Sequence, residues 1–553
     1  MVFLARHALA SWREALTPLK TFFYCAIAAL ILDGVLIAPN HPGAMNVAAL
    51  TMVPLELPFI LLGLWLLPAH HRGNAIIRNV LVGVLLLILI GRVADYATFI
   101  AFDRSFNSLV DWNLIGAGWL TLAGSIGWAL TAAASAALLA IVVLVALVLR
   151  WAVRVWALLP MPKAARPWAL VGLVLSLTLT VIDVGHHRHY WTYAPPGDAF
   201  TARTATSNTI EWSSTVAGLR AFSRSVKYDP FAGQTALLSR LNQHDVLIIF
   251  VESYGRSSFD NPLYAQTHVP TLQRAERRLA DQGLEMRSGW LEAAMIGGQS
   301  WLSHSTVASG LWIDNQGRYR MLLKSQRPTL YHYAQQAGFQ TMAVMPGIRM
   351  DWPEADYFGF DKIWDANNLG YQGEPFNWVT MPDQFTLSAF DQLARQAEPR
   401  KPIFAQIALI SSHAPWVPVA PMIDWTQVGD GTVFNQWANT GDSPEVVWRD
   451  PDRVRDQFRQ SVDYSLQVVL SYAERQAHNM PLIIILGDHE PARFVSQRPG
   501  REVAIHMIGT PSQIAAIQDW QWTPGLIPAG DLPVWRMDQF RDQFITAYSE
   551  IAP

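Results

Sequence analysis

The chain has 553 residues, room for two or more domains, and 51% of them are hydrophobic while only 15% are charged, a balance that calls for a membrane part. Its net charge of -3 has both signs spread along the sequence, which excludes a broad basic field for nucleic acid and an acidic disordered tail. The one cysteine, Cys25, lies in an apolar run, so no disulfide forms within one chain and an exported domain here is stable by its core alone.

Apolar stretches near the ~20 residues that a bilayer requires fall at 19–37, 48–67, 77–100, 128–149 and 168–184. Basic residues flank alternate connections: Arg6, Arg13 and Lys20 precede the first stretch, Arg72 and Arg78 separate the second from the third, and Arg150, Arg154, Lys163 and Arg166 separate the fourth from the fifth. The loop with Asn40 and His41 has none, and Arg104 is balanced by Asp103 and Asp111. Five spans are therefore expected, with a cytoplasmic N-terminus and everything beyond Val184 exported. The long basic leader, with no convincing small-x-small site after it, argues against a cleaved signal peptide. Asp33, Glu56, Arg92 and Asp95 lie in or beside these spans, where charge is costly, and Arg92 and Asp95 are spaced to pair on one helix face.

Residues 185–237 read as a juxtamembrane connector, polar and aromatic, with His186, His187, Arg188, His189 and Pro195-Pro196. From 238 to 553 short apolar runs alternate with helical patterns. The run Val246–Val251 has no alternation, as in a parallel strand covered on both faces. Similar runs stand at 341–345, 403–410 and 482–486, with helices at 271–281 and 328–337 stopped by Gly283 and Gly338. The expected fold is an α/β domain that binds ligands beyond the carboxyl ends of its strands.

At those ends the sequence places Glu252 in Val251-Glu252-Ser253-Tyr254-Gly255, His413 in Ser411-Ser412-His413-Ala414-Pro415, and Asp488-His489 in Gly487-Asp488-His489-Glu490-Pro491. Carboxylates and imidazoles converging on one sheet edge suit a divalent cation. Gly297-Gly298-Gln299-Ser300 then sets a hydroxyl at a helix N-terminus, where free backbone N–H groups favour an anion. Ser300 alone could simply cap that helix; beside cation ligands it is a candidate nucleophile. Ser303, Ser305 and Thr306 read as packing residues.

These blocks resemble the sulfatase-like membrane phosphotransferases of the alkaline phosphatase superfamily, the type of lipoteichoic acid synthase and of phosphoglycerol and phosphoethanolamine transferases. The resemblance implies that Glu252, Ser300, Asp488 and His489 bind one divalent metal ion (manganese, zinc or magnesium), that Ser300 is the nucleophile, and that His413 is catalytic and faces the substrate. It places a head-group site around Arg349, Trp352 and Glu354, where Glu354 stands in a position that is basic in the lipoteichoic acid branch and could hold an ammonium group; equally, Pro353-Glu354 could simply begin a helix, with Arg349 supplying the basic group from the other side. The absence of disulfides separates the chain from the lipid A phosphoethanolamine branch. Ser300 is followed by Trp301 and Leu302 rather than by the Pro and Arg that accompany formylglycine maturation, which disfavours sulfate-ester hydrolysis.

The function so implied is transfer of a head group from a membrane phospholipid, through a phosphoserine, to an extracytoplasmic glycan or lipid at a bacterial inner membrane, with no nucleic-acid partner. A phosphodiester or sulfate-ester hydrolase of the same superfamily and a non-catalytic membrane scaffold or sensor are the alternatives.

Overall fold

The computed structural model describes residues 2–45, 52–68, 72–241, 244–397 and 400–550. The chain divides into two compact units, Met1–Phe99 with Arg104–Ala217, and Ile100–Asp103 with Gly218–Pro553.

In the first unit, helices long and apolar enough to cross a membrane include Leu19–Ile37, Trp128–Ala157 and Lys163–His187; a fourth, Gly73–Phe102, ends where the unit boundary falls. The expected second span is represented by the helix Glu56–Leu66, and residues 48–51 of that stretch lie outside the described ones. Its 11 residues make about 16 Å of helix, against a hydrocarbon core of ~30 Å. Among the described residues, four full-length candidates and one short apolar helix thus stand where five spans are expected.

The expected ion pair of Arg92 with Asp95 does not form. The Arg92 guanidinium instead donates to the Leu36 and Ala38 carbonyls and to Thr201 Oγ1, while Asp95 Oδ1 accepts from Phe106 N–H at 2.9 Å. Backbone acceptors freed at a helix end satisfy the guanidinium without bringing a second charge out of water. Much of the expected connector is helical, Phe200–Ser225. Its Thr204, Thr206 and Thr209 hydroxyls donate to carbonyls one turn back, so these side chains are satisfied within the helix itself.

The second unit is built on one nine-stranded sheet. Five strands run parallel in the order β4 (Lys362–Asp365), β3 (Gln340–Met345), β5 (Ile403–Leu409), β1 (Val246–Val251) and β6 (Leu482–Gly487). Beyond β6, β7 (Glu502–Gly509) is antiparallel, followed by β2 (Glu285–Glu292) and β8 (Thr523–Pro524), with β9 (Val534–Arg536) on β2. β1 and β6 are apolar throughout, and β5 all but Gln406, because both faces are covered: Leu247, Ile249 and Val251 point into one core with the helices Pro262–Asp281 and Pro451–Arg475. Val246, Ile248 and Phe250 point into the other, with Ser300–Ser309, Leu330–Gln336 and Gln539–Ala547.

Register then decides where the chemistry stands. Val251 is level with Leu409 on one side and with Gly487 on the other, so Glu252, Ile410 and Asp488 leave the sheet at one height. Gly487 is required there, since a Cβ would lie 2.0 Å from the Tyr254 carbonyl oxygen.

Candidate active site

The three strand-end turns hold one another in place. Ser253 takes the left-handed region, φ 59°, and its N–H donates to Asp488 Oδ1 at 2.8 Å. Ser412 Oγ donates to the Glu252 carbonyl at 2.7 Å. Asp383, fully buried, accepts from the N–H groups of Ile410 and Ser411 and from Ser465 Oγ, pinning the turn that leads to His413.

Ser300 arrives from a different element. Gly297, Gly298 and Gln299 have φ of 72°, 149° and 62°, and the φ of Gly298 is open essentially to glycine alone. Gly297 N–H donates to the Glu490 carbonyl at 2.8 Å, which lashes this loop to the Asp488-His489 turn. Gln299 is the N-cap residue and Ser300 the first residue of the Ser300–Ser309 helix, so the serine is not the cap. Its Oγ instead donates to Glu252 Oε2 at 2.9 Å and lies 3.3 Å from His489 Nε2.

Around that hydroxyl, Glu252, Asp488 and His489 offer ligand atoms that all lie within 4.8 Å of one another. The His489 ring is oriented by its Nδ1, which donates to the Glu490 carbonyl at 2.9 Å and leaves Nε2 facing Glu252 Oε1 at 3.2 Å. Fixing one imidazole nitrogen in this way is how a ligating histidine is usually aimed. The electrostatics ask for a cation. Burial and the neighbouring Glu252 charge push the Asp488 carboxyl up to about 8. Burial opposes ionisation of Glu252 as well, but His489 holds it well below the usual carboxylate range. The same two carboxylates, acting against burial, push His489 up to about 9. Without a metal ion the cluster thus retains protons to balance its charge, and a divalent cation held by Glu252, Asp488 and His489 beside Ser300 fits the donor set.

Three neighbours were not singled out from the sequence. His304 stands one helical turn beyond Ser300, its ring 4.0 Å from that of Phe250, with burial holding it neutral at about 4. Glu490 is buried beneath the Asp-His turn, pushed up to about 7 by burial, and accepts from Ser257 N–H and Oγ. Trp378 stacks on His413 with ring centroids 4.0 Å apart and planes 15° from parallel. His304 could have been found from its i+4 spacing to Ser300; Glu490 and Trp378 become visible only through long-range packing.

The expected head-group residues separate. Arg349 Nη2 reaches the Trp378 carbonyl at 3.4 Å, which brings it to the His413 side. Trp352 instead lies against Phe358 and Phe360. Glu354 lines a cavity of about 700 Å³ with Arg327, His332 and Tyr357, and none of the cluster residues lines that cavity.

Residues 244–506 match the family model described as Sulfatase; that segment is a sulfatase-type enzyme domain, as the resemblance implied. Similar solved structures include the lipoteichoic acid synthase LtaP of Listeria monocytogenes, 12% identical over 53% of this chain and 71% of that one, with a TM-score of 0.34. The periplasmic domain of EcEptC from Escherichia coli is 13% identical over 56% and 82%, with a TM-score of 0.37. The Streptococcus pyogenes phosphoglycerol transferase GacH, solved with sn-glycerol-1-phosphate, is 10% identical over 61% and 91%, with a TM-score of 0.35. Among curated protein sequences none matches the chain significantly.

Proposed function

We propose that the chain is a membrane-anchored, metal-dependent phosphotransferase that moves a phospholipid head group, phosphoglycerol or phosphoethanolamine, through a phosphoserine to an extracytoplasmic glycan or lipid. The observation that carries this reading is the Ser300 hydroxyl, 2.9 Å from Glu252 and 3.3 Å from His489 in the buried cluster. A divalent cation bound there supplies the positive charge that favours a serine alkoxide and offsets charge on phosphoryl oxygens.

The chain's own groups do the rest. Glu252 accepts the Ser300 hydroxyl hydrogen bond and so aims the oxygen, and the Ser300–Ser309 helix turns its free N–H groups toward an incoming phosphate. Ser300 gives up its hydroxyl proton as Oγ attacks phosphorus, a Ser300 O–P bond forms, and the bond from phosphorus to the diacylglycerol oxygen breaks, that oxygen gaining a proton as diacylglycerol leaves. His413 is assigned to protonate that oxygen or to hold the head group. An acceptor hydroxyl then attacks phosphorus, loses its proton, and Ser300 leaves as the hydroxyl. The apolar helices anchor the chain in the membrane that holds the donor lipid, which raises the effective donor concentration.

The test is release of diacylglycerol from proteoliposomes containing phosphatidylglycerol or phosphatidylethanolamine, with the metal-loaded full chain. Release from one lipid over the other is expected. Hydrolysis of simple water-soluble phosphodiesters with no diacylglycerol from either lipid would make the chain a hydrolase.

A further inference from the structure

A histidine at a loop between solvent and a buried cluster has one soft torsion too many to be effective unless something fixes its ring plane. In this chain that something is Trp378, stacked 4.0 Å from the His413 ring although 37% of the tryptophan is exposed.

The indole is carried on a pinned device. Phe376 and Val379 close a two-residue turn with hydrogen bonds of 2.8 and 3.0 Å, and both are buried. Asn377 occupies the left-handed region at φ 54°, which Asn tolerates better than most side chains. Its Nδ2 donates to the Val417 carbonyl at 2.7 Å, on the loop that carries His413. Thr380 Oγ1 donates to the Pro346 carbonyl at 2.6 Å, and Arg349 caps the Trp378 carbonyl. His413 Nδ1 lies 2.6 Å from the Ala414 carbonyl, so that nitrogen donates there and Nε2 is the one left for chemistry.

We propose that Trp378 is the positioning residue of His413: carried on the 376–379 turn, it locks the imidazole plane so that Nε2 meets the head group or leaving oxygen. This rests on the reading of His413 as the substrate-side histidine.

The experiment is a double-mutant cycle in the full chain, read as diacylglycerol release. Trp378→Ala is expected to lower kcat about tenfold, as loss of one aromatic contact does, with KM nearly unchanged, and Trp378→Phe to restore most of it. In a His413→Ala background, Trp378→Ala is expected to cost less than about twofold, because partners that act as a unit are not additive. Equal losses in both backgrounds overturn the proposal. A second reading needs no turnover: with labelled histidine, the His413 ring protons are expected upfield in the native chain relative to Trp378→Ala, and an unmoved resonance overturns the stack. A native chain inactive on every phospholipid but keeping that shift leaves the stack standing and removes the transferase reading instead.

Discussion

The residues of the cluster differ in how openly the sequence declares them. Glu252, Asp488 and His489 are legible because each follows an apolar run with no alternation, and residues just past buried parallel strands face the ligand side. Ser300 is legible only as one of two things, cap or nucleophile. Its hydrogen bond to Glu252 and the N-cap position of Gln299 decide against the cap. Trp352 and Glu354 are suggested by motif alone; Trp352 packs on Phe358 and Phe360 and Glu354 lines the cavity with Arg327, His332 and Tyr357, positions that only packing reveals, since a motif fixes sequence spacing and not the direction of a side chain.

The protons on the cluster make a prediction at this scale. Asp488 is pushed up to about 8 by burial and Glu252, and His489, against burial, up to about 9 by Asp488 and Glu252. Without a metal ion the cluster retains protons, and a metal ion must displace them. Affinity therefore falls as pH falls, by about tenfold per pH unit for each proton displaced. Calorimetric titration with manganese, zinc and magnesium in buffers of different ionisation enthalpy counts the protons released, and an affinity flat with pH below about 8 would contradict the assignment.

Among the elements, four of the five parallel strands, β1, β3, β5 and β6, are visible in the sequence, while β4 and the antiparallel flank are not. β1 and β6 are continuous apolar runs and β5 is interrupted only by Gln406, whereas β4 begins and ends in charge and β2, with Glu285, Arg287 and Glu292 among its residues, is punctuated by it. The turn before His413 depends on a group that sequence reads as an ordinary helix start: Asp383, after Pro382, is fully buried and accepts from Ile410, Ser411 and Ser465. Asp383→Ala leaves these donors without a partner and is expected to cost about 3 kcal/mol, with a lower Tm and weakened activity together. Unchanged thermal unfolding of that variant would show that the turn stands without it.

For the whole molecule, parity of the spans matters more than their number. Among the described residues four helices are long and apolar enough to cross a membrane, and four crossings return the chain to the side of its N-terminus; the alternation of basic flanks fits a fifth, which we propose at the stretch containing the short helix Glu56–Leu66. A reporter fused after Pro553 is expected to be active only outside the cytoplasmic membrane, and one in the Lys163 loop only inside. Cytoplasmic activity of the C-terminal fusion would mean that the short helix does not carry the chain across.

The central claim is that Ser300 carries the head group in transit. The direct measurement is intact-mass analysis of the full chain after brief exposure to phospholipid vesicles without acceptor, followed by peptide mapping. The account predicts an added phosphodiester-linked head group on Ser300, diacylglycerol released in equal amount, and neither in Ser300→Ala at undiminished metal content and folding. Diacylglycerol release at the native rate by Ser300→Ala, or a modified residue other than Ser300 in the native chain, would contradict it.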